Sequence, residues 1–264
     1  MHLVNPDLVT TTGSVTRTGT ATYYDSNGYL QTSTSGALRF GYHPSTLEFV
    51  GIIVEAASTN LLLQSNSFEN ASWTKTNIAT ITANTQTAPT NTLAAESIVP
   101  TTTSGQHSLV QQFNASALSG EIYTISTFVK ANGYNFVRLQ FEGTAAGTGY
   151  AFFDLSTGLV ASSSGLYATP DIEKLKNGWY RVSITRQLVA SGTLSAGIYV
   201  QSTDNQTGSW AGNGTSGIIL YGSQAELKPK MTSYIQTTTA TAPRAAEVIT
   251  GSGLVYTSVT NAYA

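Results

Sequence analysis

Six side chains between residues 134 and 210 combine aromatic rings with groups that form several hydrogen bonds. They are Tyr134, Arg138, Gln140, Tyr150, Tyr199 and Trp210. An aromatic ring can stack on the apolar face of a sugar, and an amide or guanidinium group can bind the sugar hydroxyls. These residue types therefore indicate a carbohydrate site, with further candidates nearby in the sequence at Asn132, Asn135, Gln201 and Tyr221.

Trp210 is the most conspicuous of these candidates because it lies in the glycine-rich stretch Thr207–Gly217. An exposed indole ring in such a loop is unfavourable unless it contacts a ligand. An alternative of equal weight is that Trp210 closes one end of the fold or packs against a neighbouring subunit. Trp73 and Trp179 adjoin strand residues, so we expect both of them in the core.

Two glutamates, Glu69 and Glu226, are candidates for a structural Ca²⁺ site. Calcium prefers oxygen ligands, and carboxylates from the first and last strands of a β-domain can meet at such a site. However, two glutamates so far apart in the sequence match ordinary surface carboxylates better. No other cofactor is indicated.

The residues needed for catalysis do not form a recognisable set. His2, His43 and His107 are scattered along the chain. Glu142 and Asp154 could form the carboxylate pair that glycoside cleavage needs, but we expect Asp154 to cap the backbone amides of its turn. His107 is expected to be a hydrogen-bonded strand residue. We therefore predict that the protein is not an enzyme.

The composition limits the kinds of partner that the surface can bind. Of the 264 residues, 41% are hydrophobic, which is enough for a large core, but only 10% are charged, against about 25% in an average soluble domain. The 12 basic residues form no cluster and the net charge is -2. We therefore expect no nucleic-acid partner, because phosphate binding needs clustered basic side chains. A surface of hydroxyls and amides suits glycans or other protein subunits.

Three further observations concern the cellular environment. The chain has no cysteine, so disulfides and thiolate metal sites are excluded. No apolar run approaches the roughly 18–20 residues of a membrane span, so no membrane partner is expected. The first residues lack the basic and apolar regions of a secretory signal, and we expect the protein to remain in the cytoplasm where it is made.

The elements that would position these side chains are β-strands. Asn27-Gly28 provides a tight turn between Ala21–Tyr24 and Tyr29–Gln31, and Gly51–Glu55 is an apolar run typical of a buried strand. From Asn60 onward, short strand segments alternate with turn residues. Ile122–Lys130 has one apolar and one mixed face, which predicts a half-buried strand. We predict an all-β fold: an antiparallel β-sandwich, most simply a jelly roll.

The same patterns divide the chain into four segments. An N-terminal arm covers 1–19 and a β-hairpin unit covers 20–59. The jelly-roll sandwich covers 60–230, and a C-terminal arm covers 231–264. The two arms have little periodicity of their own, so we expect them to be extended segments.

Ten short blocks of sequence resemble a widespread family of phage virion proteins. These are the head-spike-fibre and tail-fibre proteins, whose jelly-roll module is like carbohydrate-binding modules. The blocks occur in the family's order between residues 20 and 247: the Asn27-Gly28 turn, Arg39-Phe40, GIIVE at 51–55, TNLL at 59–62, YTISTFVKA at 123–131, DLSTG at 154–158, GWYRV at 178–182, GSQAE at 222–226, TSYIQT at 232–237, and PR with AE within 243–247.

The resemblance implies a non-enzymatic structural protein of the virion, assembled in the host cytoplasm. Our first hypothesis is a capsid-surface decoration or head-fibre protein, forming a homotrimer, that docks on virion proteins such as the major capsid protein through its arms. Its jelly roll would add weak adhesion to host glycans. The alternative is a tail-fibre lectin that binds a host surface polysaccharide. The sequence leaves both open.

Overall fold

The computed structural model describes residues 14–147, 149–164 and 168–250. These residues are almost entirely strands and turns, with one short 3₁₀ turn at Lys176–Gly178. Within these ranges, no helix is long and apolar enough to cross a membrane. The predicted all-β fold is confirmed.

Six short strands form the N-terminal part of the described chain. They are β1 Ser14–Thr16, β2 Ala21–Tyr24, β3 Leu30–Ser33, β4 Phe40–Tyr42, β5 Phe49–Ile52 and β6 Ser58–Asn60. Strands β2 and β3 form an antiparallel hairpin, as do β4 and β5. Gly28 has a φ of 76° in the turn between β2 and β3, a conformation that glycine adopts without strain. The predicted Asn-Gly hairpin is therefore confirmed.

The next fourteen strands build the sandwich and its edges. They are β7 Thr74–Thr76, β8 Ile78–Thr87, β9 Leu93–Pro100, β10 Ser104–Gly105, β11 Ser108–Ala117, β12 Ile122–Asn132, β13 Phe136–Glu142, β14 Gly149–Asp154, β15 Leu159–Ser164, β16 Ala168–Lys174, β17 Trp179–Gln187, β18 Gly192–Gln201, β19 Trp210–Ala211 and β20 Gly217–Glu226.

Two six-stranded antiparallel sheets face each other. The front sheet has the order β15-β14-β13-β18-β11-β7, and the back sheet has the order β16-β17-β12-β20-β9-β8. The chain crosses repeatedly between them. When β9, β11, β12, β13, β14, β17, β18 and β20 are numbered one to eight along the chain, the back sheet contains 1-8-3-6 and the front sheet 2-7-4-5. This is the strand order of a jelly roll, as predicted.

The main core lies between the two sheets. Alternate residues of each strand point inward, as the twofold period of a strand requires; Val137, Leu139 and Phe141 of β13 pack in this core with Ile198 of β18. Trp73 joins the same core. Trp179 lies in a second core described below, so both tryptophans are buried as predicted.

The outer face of the back sheet is also buried, because the N-terminal hairpins cover it. Phe128 of β12 and Tyr221 of β20 pack in a second core with Leu30 of β3 and with Tyr234. The rings of Phe128 and Tyr234 meet edge to face, with centroids 5.9 Å apart. Strand β12 is therefore buried on both faces, and the prediction of a half-buried strand was wrong.

The last two strands tie the C-terminal segment to the N-terminal hairpins. Strand β21, Ala242–Arg244, pairs with β6, and strand β22, Val248–Thr250, pairs with β1. Tyr234 and Ile235 are buried. Residues 14–59 and 231–250 thus form one structural unit against the back sheet, which we call the hairpin unit. Residues 1–13 and 251–264 of the predicted arms lie outside the described residues.

A buried network of ion pairs holds this unit together. Glu247 binds Arg17 and Arg39 at 2.7 and 2.6 Å. Glu55 binds Arg39 and Arg244 at 2.8 and 2.6 Å. Burial alone would raise the pKa of both carboxyl groups, but the arginine charges and hydrogen bonds outweigh it and hold each pKa below its usual value. The two glutamates are therefore ionised at neutral pH.

Candidate functional site

The outer face of the front sheet carries four of the six side chains that the sequence singled out. Arg138 and Gln140 lie on β13, Tyr150 on β14 and Tyr199 on β18. Their neighbours along each strand, such as Val137 and Leu139, point into the core. Because successive side chains of a strand point to opposite faces, these four project together from the front sheet.

The strand register brings these side chains into contact. Arg138 lies opposite Phe152 of β14 on one side and opposite Tyr199 of β18 on the other. Its guanidinium carbon is 3.9 Å from the centroid of the Tyr199 ring, and 5.6 and 5.7 Å from those of Tyr150 and Phe152. A cation over aromatic faces at these distances is stabilised by the ring quadrupole. Together these side chains form a ridge across the sheet, here called the aromatic-arginine ridge: Arg138, Tyr150, Phe152 and Tyr199.

Arg138 is the buried centre of this ridge. Only 2% of its surface is exposed, and its Nε atom has no hydrogen-bond partner. Burial lowers the pKa of Arg138 from its usual value. An arginine retains its charge even after such a shift, so a positive charge lies under the surface of the face.

Tyr199 connects the ridge to a carboxylate. Its hydroxyl group donates a hydrogen bond to Oε1 of Glu142 on β13. Burial, followed by this bond, raises the pKa of Tyr199 well above its usual range. Gly197 makes the contact possible, because a Cβ atom there would lie 2.5 Å from Glu142 Oε1 and 2.8 Å from Tyr199 Cε2. A side chain at position 197 would therefore push Glu142 and Tyr199 apart.

A groove lies beside the ridge, over strands β18, β11 and β7. Its volume is about 360 Å³, and its walls include Thr74, Val110, Gln112, Glu142, Ser195 and Tyr199. Gln112 and Thr74 are exposed, whereas Tyr199 forms part of the floor and is only 4% exposed. The groove thus offers amide, hydroxyl and carboxylate groups over a partly aromatic floor.

Two candidates, Trp210 and Tyr134, lie elsewhere, at one end of the sandwich. Trp210 is only 8% exposed, so the alternative that it closes one end of the fold is confirmed and the alternative of an exposed loop ring is wrong. Its ring meets His107 and Tyr134 edge to face, with centroids 4.4 and 5.0 Å apart. The Tyr134 hydroxyl oxygen accepts a hydrogen bond from the backbone N–H of Asn213 at 3.0 Å. Trp210 therefore closes the end of the core and has no open ring face.

Other sequence candidates divide between the two sheets. Tyr221 is buried under the hairpin unit, on the back sheet. Gln201 lies on β18 opposite Phe136, but only 1% of it is exposed. Phe152 and Gln112 were not predicted. Phe152 could have been found because it is two residues from Tyr150 on the same strand, whereas Gln112 is brought in only by the pairing of β11 with β18.

The two glutamates proposed for Ca²⁺ do not share a site. Glu226 is completely buried at the end of β20, where it accepts hydrogen bonds from Ser58 and Thr232 at 2.7 Å each. Glu69 is hydrogen-bonded instead to the Glu96 side chain. Glu96 lies opposite Leu220, which is six residues before Glu226 along β20. Six residues of a strand span about 20 Å. In the described part of the chain, no cluster of three metal-ligating side chains occurs.

The proposed carboxylate pair is also separated. Asp154 lies opposite Phe136 at one end of β13, and Glu142 is at the other end. Six residues of strand, about 20 Å, exceed the roughly 5–10 Å that glycoside cleavage requires. Asp154 accepts the backbone N–H of Ser156 at 2.8 Å, so its predicted role as a turn cap is confirmed.

The two histidines within the described residues form hydrogen bonds with the backbone. His107 is completely buried, with its Nδ1 atom 2.8 Å from the carbonyl oxygen of Asn77 and its Nε2 atom 3.0 Å from that of Trp210. This confirms its hydrogen-bonded role, but His107 immediately precedes β11 and does not lie within a strand. The His43 ring nitrogen Nδ1 accepts the backbone N–H of Ser45 at 3.3 Å. His2 lies outside the described residues.

Comparisons with known proteins give no family assignment. No protein-family model matches the chain, and no curated protein does. Among solved structures, the enzymatically active domain of tailspike protein 4 from bacteriophage CBA120 is similar at 14% identity and a TM-score of 0.39, over 63% of this chain and 21% of that chain. This chain thus spans about a fifth of that tailspike chain.

Two modules from other proteins are similar at the same 14% identity. The CBM22-1 xylan-binding domain of Paenibacillus barcinonensis Xyn10C has a TM-score of 0.35, over 68% of this chain and 100% of that domain. The C-terminal CBM6 of LamC, from Zobellia galactanivorans, has a TM-score of 0.30, over 59% and 91%. These values are too low to relate this chain to any of the three in function.

Proposed function

We propose that this chain is a non-enzymatic protein of a phage particle and that the outer face of its front sheet binds a carbohydrate chain. The observation that carries the binding proposal is the asymmetry of the sandwich. The hairpin unit buries the back sheet under an apolar core, whereas the front sheet presents the aromatic-arginine ridge and a polar groove. Carbohydrate sites combine aromatic surface with a few convergent polar groups.

Each part of the face has its own role in this proposal. Half-buried Tyr150 and Gln140 contact the sugar at the ridge, and Gln112 with Glu142 forms hydrogen bonds to hydroxyl groups in the groove. Arg138 and Tyr199 are almost completely buried. They therefore act as supports that hold the ring and the Glu142 carboxylate in place, and they make little direct contact with ligand.

A glycan array with purified full-length protein, followed by calorimetry on the best ligand, tests this function. The double variant Gln112→Ala with Glu142→Ala should lower affinity at least about tenfold, which corresponds to about 1.4 kcal/mol. Thr82→Ala on β8, exposed at the far edge of the back sheet, is the matched control and should bind normally. If no glycan binds, or if the double variant binds as well as the control, the proposed face is wrong.

For the particle, we favour a capsid-surface decoration or head-fibre protein that assembles as a homotrimer on the major capsid protein. The sequence blocks shared with phage virion proteins support this proposal. A tail-fibre lectin is the second candidate, because the front face alone would suffice for receptor binding. Cryo-electron microscopy of the purified particle would distinguish the two: density at capsid three-fold positions supports decoration, and density at the tail alone supports the lectin.

A further inference from the structure

A second cavity lies on the opposite side of the molecule, between the hairpin unit and the outer face of the back sheet. Its volume is about 210 Å³, and its walls include Tyr24, Ile53, Glu173, Arg181, Met231 and Tyr234. This is the space of about seven water molecules at ~30 Å³ each. It is smaller than the roughly 300–1,000 Å³ of sites for drug-sized ligands, so its occupant must be a small molecule.

Arg181 is the polar group that the fold leaves incompletely bonded there. It projects from β17, 5% of its surface is exposed, and its guanidinium carbon is 5.1 Å from the centroid of the Phe128 ring. One terminal nitrogen, Nη2, donates to the Ser126 hydroxyl at 3.2 Å, but Nε has no partner. A buried donor without a partner is costly, so a ligand oxygen that reaches the guanidinium group after a small shift of the Arg181 side chain would be stabilised.

Glu173 on β16 lines the same cavity. Its Oε2 atom accepts a hydrogen bond from the Tyr24 hydroxyl at 3.1 Å. Burial raises the pKa of Glu173, and the nearby Arg181 charge opposes that shift only in part. The third charged group of the cavity, Glu55, is bound by Arg39 and Arg244. Arg181 thus lies opposite an acidic side chain on the neighbouring strand, so the cavity offers both a donor and an acceptor, which favours a neutral ligand over an ion.

We infer that this cavity binds a neutral, monosaccharide-sized polyol, with one hydroxyl oxygen accepting from Arg181 and another hydroxyl group donating to Glu173. The tyrosine ring of Tyr24 and the apolar side chains of Ile53 and Met231 would contact the carbon skeleton. This site is separate from the proposed carbohydrate face, because the two lie on the outer faces of opposite sheets. It depends on the hairpin unit, which supplies one whole wall.

The test uses the full chain and free monosaccharides: glucose, galactose, mannose, xylose and N-acetylglucosamine. Saturation-transfer NMR and calorimetry should detect at least one of them with a Kd on the order of 1–10 mM. Glu173→Gln keeps an acceptor for Tyr24 and should weaken that binding about fivefold or more. Met231→Trp, which fills the cavity from its rim, should abolish it. Thermal melts would verify that both variants remain folded.

Thr82→Ala, exposed on the edge strand β8, is the matched control and should leave monosaccharide binding unchanged. Binding that survives the front-face double variant Gln112→Ala with Glu142→Ala, but is lost in Met231→Trp, belongs to this cavity, so failure here is distinguishable from failure of the carbohydrate face. The inference is overturned if no sugar of the panel binds at up to about 100 mM. It is also overturned if Glu173→Gln and Met231→Trp bind like the unaltered protein. Binding of acetate or glycine in place of the sugars would equally reject a neutral ligand.

Discussion

Glu247→Gln is the substitution that most directly probes how the N-terminal and C-terminal parts of the hairpin unit are held together. The Glu247 carboxylate is 2% exposed and accepts four hydrogen bonds. They come from Arg17 Nη1, Arg39 Nε and Arg39 Nη2 at 2.7 Å each, and from the backbone N–H of Glu55 at 2.8 Å. Glutamine has nearly the same shape, so the change removes charge without opening a cavity.

The structure sets the size of the effect. Three arginines and two glutamates leave the network with a charge of 3 - 2 = +1, and the substitution raises it to 3 - 1 = +2. The amide NH₂ group also faces donors and cannot accept, so about two of the four bonds are lost. Breaking a buried ion pair on one side costs about 3–5 kcal/mol, and two charge-assisted bonds at about 1.5–3 kcal/mol each agree with that range. We expect about 4 kcal/mol of destabilisation.

Urea unfolding followed by circular dichroism, together with a thermal melt, measures this. For a chain of this size, about 2–4 °C per kcal/mol converts the expected loss into a melting temperature about 8–16 °C lower. Glu48→Gln is the matched control, because Glu48 is exposed in the same hairpin unit and surface changes are usually within about 0.5 kcal/mol. A loss below about 1 kcal/mol for Glu247→Gln would refute the view that this network fixes the C-terminal segment.

Three further outcomes can be measured with the same protein. Gly197→Val should place its Cβ between Glu142 and Tyr199, break their hydrogen bond and lower glycan affinity about tenfold or more. Unfolding measurements should show a loss of stability of about 1–3 kcal/mol. Unchanged glycan affinity would exclude this groove as the binding site. Trp210→Ala should destabilise by about 3–5 kcal/mol, as expected for a buried tryptophan, yet leave the affinity of the folded protein for glycan unchanged; lost affinity in a folded variant would return Trp210 to the binding site. Burial, then the hydrogen bond and charge of Glu69, raise the pKa of Glu96 to about 8. The folded state therefore holds a proton that the unfolded state releases near pH 4.5. The free energy of unfolding should consequently fall as the pH rises from about 5 to about 8. Glu96→Gln should flatten that slope, and an unaltered slope in urea titrations would contradict the assignment.

Much of the sandwich could be predicted from local sequence. The twofold alternation of β13 and the Asn27-Gly28 turn each determine a feature that depends only on neighbouring residues, and both are as predicted. The same alternation places Arg138 and Gln140 on one face of β13. In β14 and β18, the alternation of inward and outward residues places Tyr150 and Tyr199 on the outer face as well. Once the sandwich is predicted, these four side chains are therefore expected on the same face of one sheet.

The errors concern contacts between residues far apart in sequence. The glycine-rich surroundings of Trp210 left an exposed ring open, but His107, 103 residues earlier, packs against it, with its Nε2 atom 3.0 Å from the Trp210 carbonyl oxygen. The mixed face of β12 suggested a solvent-exposed side, but the hairpin unit covers Phe128 with Leu30 and Tyr234. No periodicity within one strand reveals which distant segment will cover it.

The sequence blocks that resemble phage virion proteins have a structural explanation that separates them from ligand binding. Glu55 of GIIVE, Arg244 of the PR pair and Glu247 of the AE pair form the buried ion network together with Arg39. Asn60 of TNLL donates to the carbonyl oxygens of Ser223 and Ile235, within GSQAE and TSYIQT, at 3.0 and 2.7 Å. The blocks GIIVE, TNLL, GSQAE, TSYIQT, PR and AE therefore meet at the junction between the hairpin unit and the sandwich.

None of the groove residues that we expect to touch a glycan belongs to those blocks: Gln112, Glu142 and Ser195 lie outside all of them. A protein could retain every block, and hence the buried junction, while its front face changed entirely. The resemblance consequently bears on how the hairpin unit is anchored to the sandwich, and the front-face variants are needed to establish what the front face binds. For the same reason, a variant such as Glu247→Gln should affect stability and leave the ligand preference of the folded protein unchanged.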